Sequence, residues 1–150
     1  MLPDRDWIRQ RLPQRGSMCL LDAVTDWDAA RIVCRSGSHR AADHPLRAHG
    51  RLGAASGIEY AAQAMALHGA LCAAPGERPE RGFLLAVRDV QLQVAALDDI
   101  AADLCITAER VHADAAVAQY RFVIDAGAGP LLSGLATVVF DATRLNAGAA

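Results

Sequence analysis

The chain contains no lysine; all 15 of its cationic side chains other than histidine are arginine. That absence excludes Schiff-base chemistry and the phosphate-cradling lysine of a P-loop. Together with the abundant alanine it reads as the coding bias of a GC-rich genome. Aromatic residues make up only 5% of the sequence. The four cysteines (Cys19, Cys34, Cys72, Cys105) form no C-x-x-C pair. Isolated thiols of this kind fit a reducing, cytoplasmic setting better than a disulfide framework. The first residues, Met1-Leu2-Pro3-Asp4-Arg5-Asp6, show neither a basic start nor a following apolar run, which predicts no secretory leader. The longest apolar stretch is broken by Glu59, Gln63 and His68, so no membrane span is expected. A net charge of −2 gives no reason to expect nucleic acid or an anionic membrane surface as partner.

What is present is core-forming sequence. With 150 residues, 53% of them apolar and 21% charged, the chain can bury a substantial interior, and its length predicts a single domain over residues 1–150. A short helix is expected at about residues 4–11, ended by Leu12-Pro13-Gln14-Arg15-Gly16. Met18 to Val24 and Arg31 to Arg35 read as strands, followed by a polar, histidine-bearing loop from Ser36 to about Gly53. Residues 55–74 are rich in alanine, leucine and methionine, nearly free of β-branched residues, and stop before Pro75-Gly76. They predict a long helix, apolar nearly all round and therefore buried. Beyond it the pattern switches to period two: Val90/Leu92/Val94, Leu104/Ile106/Ala108, Ala118/Tyr120/Phe122/Ile124, and a last strand over residues 135–140. Strands covered on one face, wrapped round one central helix, predict an α+β hotdog fold whose exposed edge would be paired in a dimer.

Glu59 and Gln63 stand one helical turn apart on an otherwise apolar helix. A buried carboxyl there needs a reason. Ser56-Gly57-Ile58-Glu59 fits the S-x-x-E capping box, in which glutamate only satisfies a backbone N–H. The functional reading makes Glu59 a shielded acid facing the histidine loop. His39, His44 and His49 recur every five residues, a spacing that suits neither one helix face nor a His-x-His metal pair, so no metal site is expected. His68 and His112 read as packed and solvated, respectively.

These segments resemble a known family. Leu12-Pro13-Gln14-Arg15, Met18 through Val24, His44-Pro45-Leu46 and Gly57 through Ala66 are similar to the opening, the histidine loop and the central helix of the β-hydroxyacyl-acyl carrier protein dehydratases. The wording of the histidine loop and helix is more similar to the dehydratase-like proteins of aryl-polyene clusters. The resemblance implies a 3-hydroxyacyl-[acyl carrier protein] dehydratase, a hydro-lyase with no metal or redox cofactor, acting on a thioester carried by phosphopantetheine. It implies His44 and Glu59 as catalytic residues, with His49 competing for the base role and the two groups meeting across a homodimer or a heterodimer with a paralogue. Gly57, Gln63 and Ala86 are the implied substrate-binding positions, Gly57 through free amides at the helix N-terminus and Ala86 where the family has a strand glycine. Gln14 stands where the family often has histidine, and the His–Glu interval is one residue longer. Arg47, Arg51, Arg78, Arg81 and Arg88 are candidates for the carrier-protein entrance. The alternatives are a hotdog thioesterase using Glu59 to activate water, and a non-catalytic acyl-binding partner of an active paralogue.

Overall fold

The structure is a computed structural model and describes residues 2–73 and 82–140. Six strands form one antiparallel sheet: β1 Ala23–Trp27, β2 Arg31–Ser36, β3 Phe83–Leu92, β4 Leu104–Ala113, β5 Val117–Asp125 and β6 Pro130–Val139. Their order across the sheet is β1-β2-β4-β5-β6-β3. A short helix α1 (Arg5–Arg11) and a long one, α2 (Gly57–Cys72), complete the framework. This is the expected hotdog arrangement, a curved sheet holding one long helix.

The alternation read from the sequence is the alternation the core uses. In β5, Ala118, Tyr120, Phe122 and Ile124 are buried while their neighbours face outward; in β4, Leu104, Ile106 and Ala108 do the same. These side chains meet Tyr60, Ala61, Ala64 and Leu67 of α2 in one hydrophobic cluster. Each large apolar side chain removed from water there contributes about 1.5–3 kcal/mol. Helix α2 crosses β2, β4 and β5. Gly57 allows its N-terminal end to approach closely, because a Cβ there would lie 2.7 Å from Leu132 and 3.1 Å from Ile124.

Two local expectations are corrected. The first strand begins at Ala23, not Met18, because residues 18–22 are held by side chains in place of a ladder. Gln63 bonds the Met18 carbonyl and the Leu20 amide, and the Ser36 and Ser38 hydroxyls donate to the Leu20 carbonyl. The long helix begins at Gly57 after a 3-10 turn over Ala54–Ser56. Ser56 is consequently helical (φ −61°, ψ −22°), its hydroxyl caps nothing, and the capping box does not form. The end expected at residue 74, with Pro75-Gly76, Arg78 and Arg81, lies outside the described residues. No helix among the described residues is long and apolar enough to cross a membrane.

Candidate active site

Glu59 sits in the first turn of α2 and turns its carboxyl away from the helix end. Its Oε1 accepts two amide hydrogen bonds, from Gln63 Nε2 at 3.1 Å and Gln14 Nε2 at 3.0 Å. Gln63 is available because it lies one turn further along the same face; its own side chain is pinned by Leu20 N–H and the Met18 carbonyl. Gln14 arrives from the loop that Pro13 and Gly16 force after α1. These three polar groups line a cavity of about 470 Å³ between α2, the α1 loop and the start of β3. Beyond them its helix wall is made of the small side chains Ala62, Ala66, Gly69 and Ala70, with Met65 as the one large side chain among them. Arg11 and Arg15 stand on the α1 side of the same cavity. The arrangement is a slot of mixed lining, apolar along the helix and strand sides and polar along the α1 side, with a carboxyl at one point and guanidinium groups beside it, suited to an apolar chain carrying a polar head.

The structure places His44 elsewhere. Its ring is 5% exposed and stacks beside Tyr60. Leu46 N–H donates to Nδ1 at 3.0 Å, so Nδ1 carries the lone pair and the proton is on Nε2. Nε2 donates to the Tyr60 hydroxyl at 3.0 Å, which lies 2.6 Å from the Ser38 hydroxyl, itself bonded to the Leu20 carbonyl. Burial, more than the neighbouring Arg47, pulls the His44 pKa below its usual value, and the ring is neutral near pH 7. Tyr60, pushed up to about 12 by burial, stays protonated. Residues 59 and 60 project about 100° apart on a helix. Within one chain the structure therefore brings Glu59, Gln63 and Gln14 together and gives His44 a separate hydrogen-bonded network.

The other candidates fall as follows. His49 (φ 53°) and Gly50 (φ 76°) form the exposed tip of a tight turn closed by Ala48 and Arg51. The Gly57 amide is already spent on the carbonyls of Ala54 and Ala55 in the 3-10 turn. Ala86 is an exposed residue of β3, paired with Thr137 beside a register shift. Arg47 bonds the carbonyls of Ala41 and Gly50 and braces its own loop, and Arg51 ties that loop to Asp98 and Asp99 in the connection between β3 and β4. The reading of the sequence missed Arg11 and Arg15 at the cavity and Tyr60 beside His44. It noticed Gln14 as a departure but not as a partner of Glu59. Among the described residues no group of three or more His, Cys, Asp and Glu side chains is placed to hold a metal ion.

Comparison with known proteins bears on the fold and the family. No curated protein matches the chain. Among solved structures it is similar to the dehydratase heterocomplex ApeI:P from Xenorhabdus doucetiae, at 23% identity and a TM-score of 0.74 over 92% of this chain and 93% of that one. It is also similar to a mutant thioesterase from Pseudomonas aeruginosa, at 12% identity and a TM-score of 0.64 over 93% and 94% of the two chains. A thioesterase from Haemophilus influenzae shares 13% identity with a TM-score of 0.57 over 78% of this chain and 76% of its own. These similarities carry the hotdog fold. The family model described as ApeP dehydratase matches residues 7–147, nearly the whole sequence, and the chain belongs to that ApeP-like family, which makes it a dehydratase and a hydro-lyase.

Proposed function

We propose that the chain eliminates water from a 3-hydroxyacyl thioester carried by an acyl carrier protein, giving a trans-2-enoyl thioester, in an aryl-polyene type of pathway. The observation that carries this reading is the Glu59 carboxyl, oriented by two amides inside a slot with an apolar helix wall. The reaction removes an α-proton and protonates a departing β-hydroxyl. Glu59 supplies the second proton, and a histidine supplies the base at neutral pH. The cavity's small side chains leave room for the acyl chain, and Arg11 and Arg15 suit the phosphate of a phosphopantetheine arm. No metal or redox group is required by this chemistry.

Because His44 and Glu59 do not meet within one chain, the reading needs a second subunit. The β3 edge supports one: Phe83, Leu84, Leu85, Val90 and Leu92 are all exposed, and β3 is bonded only to β6 among the described strands. The ApeI:P structure is a heterocomplex, and a paralogous dehydratase is the partner we propose for this edge. A second reading is favoured by His44 itself. Both its ring nitrogens are occupied, so a histidine of the partner would act on the thioester while this chain contributes Glu59. The test is His44→Ala and Glu59→Gln in the co-purified pair. If His44 is the base both variants lose at least about 10²-fold; if the partner supplies it, only Glu59→Gln does. Release of free thiol in place of water contradicts both and leaves the thioesterase alternative.

A further inference from the structure

Helix α2 carries a glycine that neither its backbone nor its packing calls for. Gly69 stands inside the helix with an ordinary helical backbone, where glycine is a weaker helix former than alanine. At Gly57 a Cβ would lie 2.7 Å from Leu132, so that position has no room for one. At Gly69 a Cβ would meet nothing within 4 Å. The open space beside it is the cavity that Glu59 also lines. A residue that weakens its helix and leaves space unfilled is explained by a ligand that uses the space.

The cavity also has a direction. Its helix wall runs from Glu59 through Ala62 and Ala66 to Gly69 and Ala70. Ten residues at 1.5 Å each place Gly69 about 15 Å along the axis from Glu59. Near Glu59 the lining is polar, with Gln14 and Gln63 on the carboxyl and Arg15 beside Gln14. The other end is apolar. Gly57 lies against Ile124 and His68 bonds Tyr120, so α2 descends β5 towards the level where Ala118 pairs with Val138. Tyr120 and Val138 line the cavity there, and the Tyr120 hydroxyl is already spent on His68. One polar end and one apolar end fit a ligand whose reacting head lies at Glu59 and whose tail lies along the helix.

We propose that Gly69 is a specificity-determining residue, its missing side chain keeping the far end of the slot open to a long, unbranched acyl chain. The inference rests on the proposed dehydration and deepens it by naming the class of acyl group. An extended chain advances about 1.25 Å per carbon, the axial projection of a carbon–carbon bond, so the slot takes about a dozen carbons beyond the one at Glu59. Each methylene laid against the apolar wall leaves water, so affinity grows with chain length until the slot is full. A large side chain at position 69 ends the slot early and leaves its polar end unchanged.

The test is calorimetric titration of the full-length chain, wild type and Gly69→Leu, with saturated S-acyl pantetheines of four and of fourteen carbons, which have no hydroxyl to lose. Wild type is expected to bind the longer thioester at least about tenfold more tightly than the shorter. Gly69→Leu is expected to abolish that advantage while binding the shorter thioester within about twofold of wild type. Should leucine not fold, Gly69→Ala is the second variant. Its thermal midpoint is expected to rise by about 3 °C, because alanine is the better helix former, while its affinity for the longer thioester falls about threefold. Equal losses at both lengths, or no loss, overturn the inference. So does a Gly69→Leu chain that keeps the length preference and loses only its assembly with a partner, which makes this helix face a subunit contact. A length preference erased by Gly69→Leu in a protein that dehydrates no 3-hydroxyacyl thioester leaves the role of Gly69 standing and overturns the proposed reaction instead.

Discussion

At the scale of single residues the molecule keeps His39, His44 and His68 neutral and places the one carboxyl of α2 in reach of a cavity. His68 is fully buried on α2; its Nε2 donates to the Asp28 carbonyl and its Nδ1 accepts from Tyr120, each at 2.8 Å. Burial pulls the pKa values of His39, His44 and His68 below the usual 6.5. The sign of the pH dependence follows. Above 6.5 neither the folded nor the unfolded ring is protonated and the fold keeps its full stability. Below it the unfolded chain binds protons that the folded rings refuse, so stability falls as pH drops. Urea midpoints measured from pH 7 to pH 5 are expected to decline, and His68→Gln to decline less steeply; a flat profile in wild type contradicts this. Gly57→Ala is expected to cost about 1–3 kcal/mol by overpacking against Leu132 and Ile124, read from urea denaturation. Glu59 and Gln63 were legible from their spacing, since four residues along a helix puts two side chains together whatever the fold. Gln14 was not, because it lies 45 residues from Glu59 and reaches it only through the bend at Pro13.

At the scale of elements the second half of the chain was readable because period two survives wherever a helix covers one face of a sheet. Strands β4 and β5 have that cover and show it residue by residue. Among the described residues β3 lacks it: α2 packs over β2, β4 and β5, and β3 has nine exposed residues out of ten. Apolar side chains on an uncovered edge are an aggregation hazard unless another chain covers them. Leu85→Asp is expected to abolish co-purification with a paralogous dehydratase while leaving the thermal midpoint of the isolated chain nearly unchanged. Retained co-purification rules out this edge as the contact. The misplaced first strand has a comparable origin. Leu20 and Leu21 look like strand residues because they are buried, yet the backbone of Leu20 bonds Gln63, Ser36 and Ser38, which no local pattern reveals.

At the scale of the whole molecule, the hotdog layer and the family followed from the pattern and the motif residues, whereas the separation of His44 from Glu59 within one chain did not, because no local spacing reports which distant side chains a fold brings together. The structure of the single chain shows each in its own setting: a carboxyl held by two amides, and a neutral imidazole tied to Tyr60 and Leu46. The most direct measurement is turnover of a 3-hydroxyacyl carrier-protein thioester, followed by mass for loss of water, with wild type and Glu59→Gln each co-purified with the paralogue. The account predicts enoyl thioester from wild type and a loss of at least about 10²-fold in the folded variant. Equal turnover by the two proteins, or release of free thiol without loss of water, contradicts it.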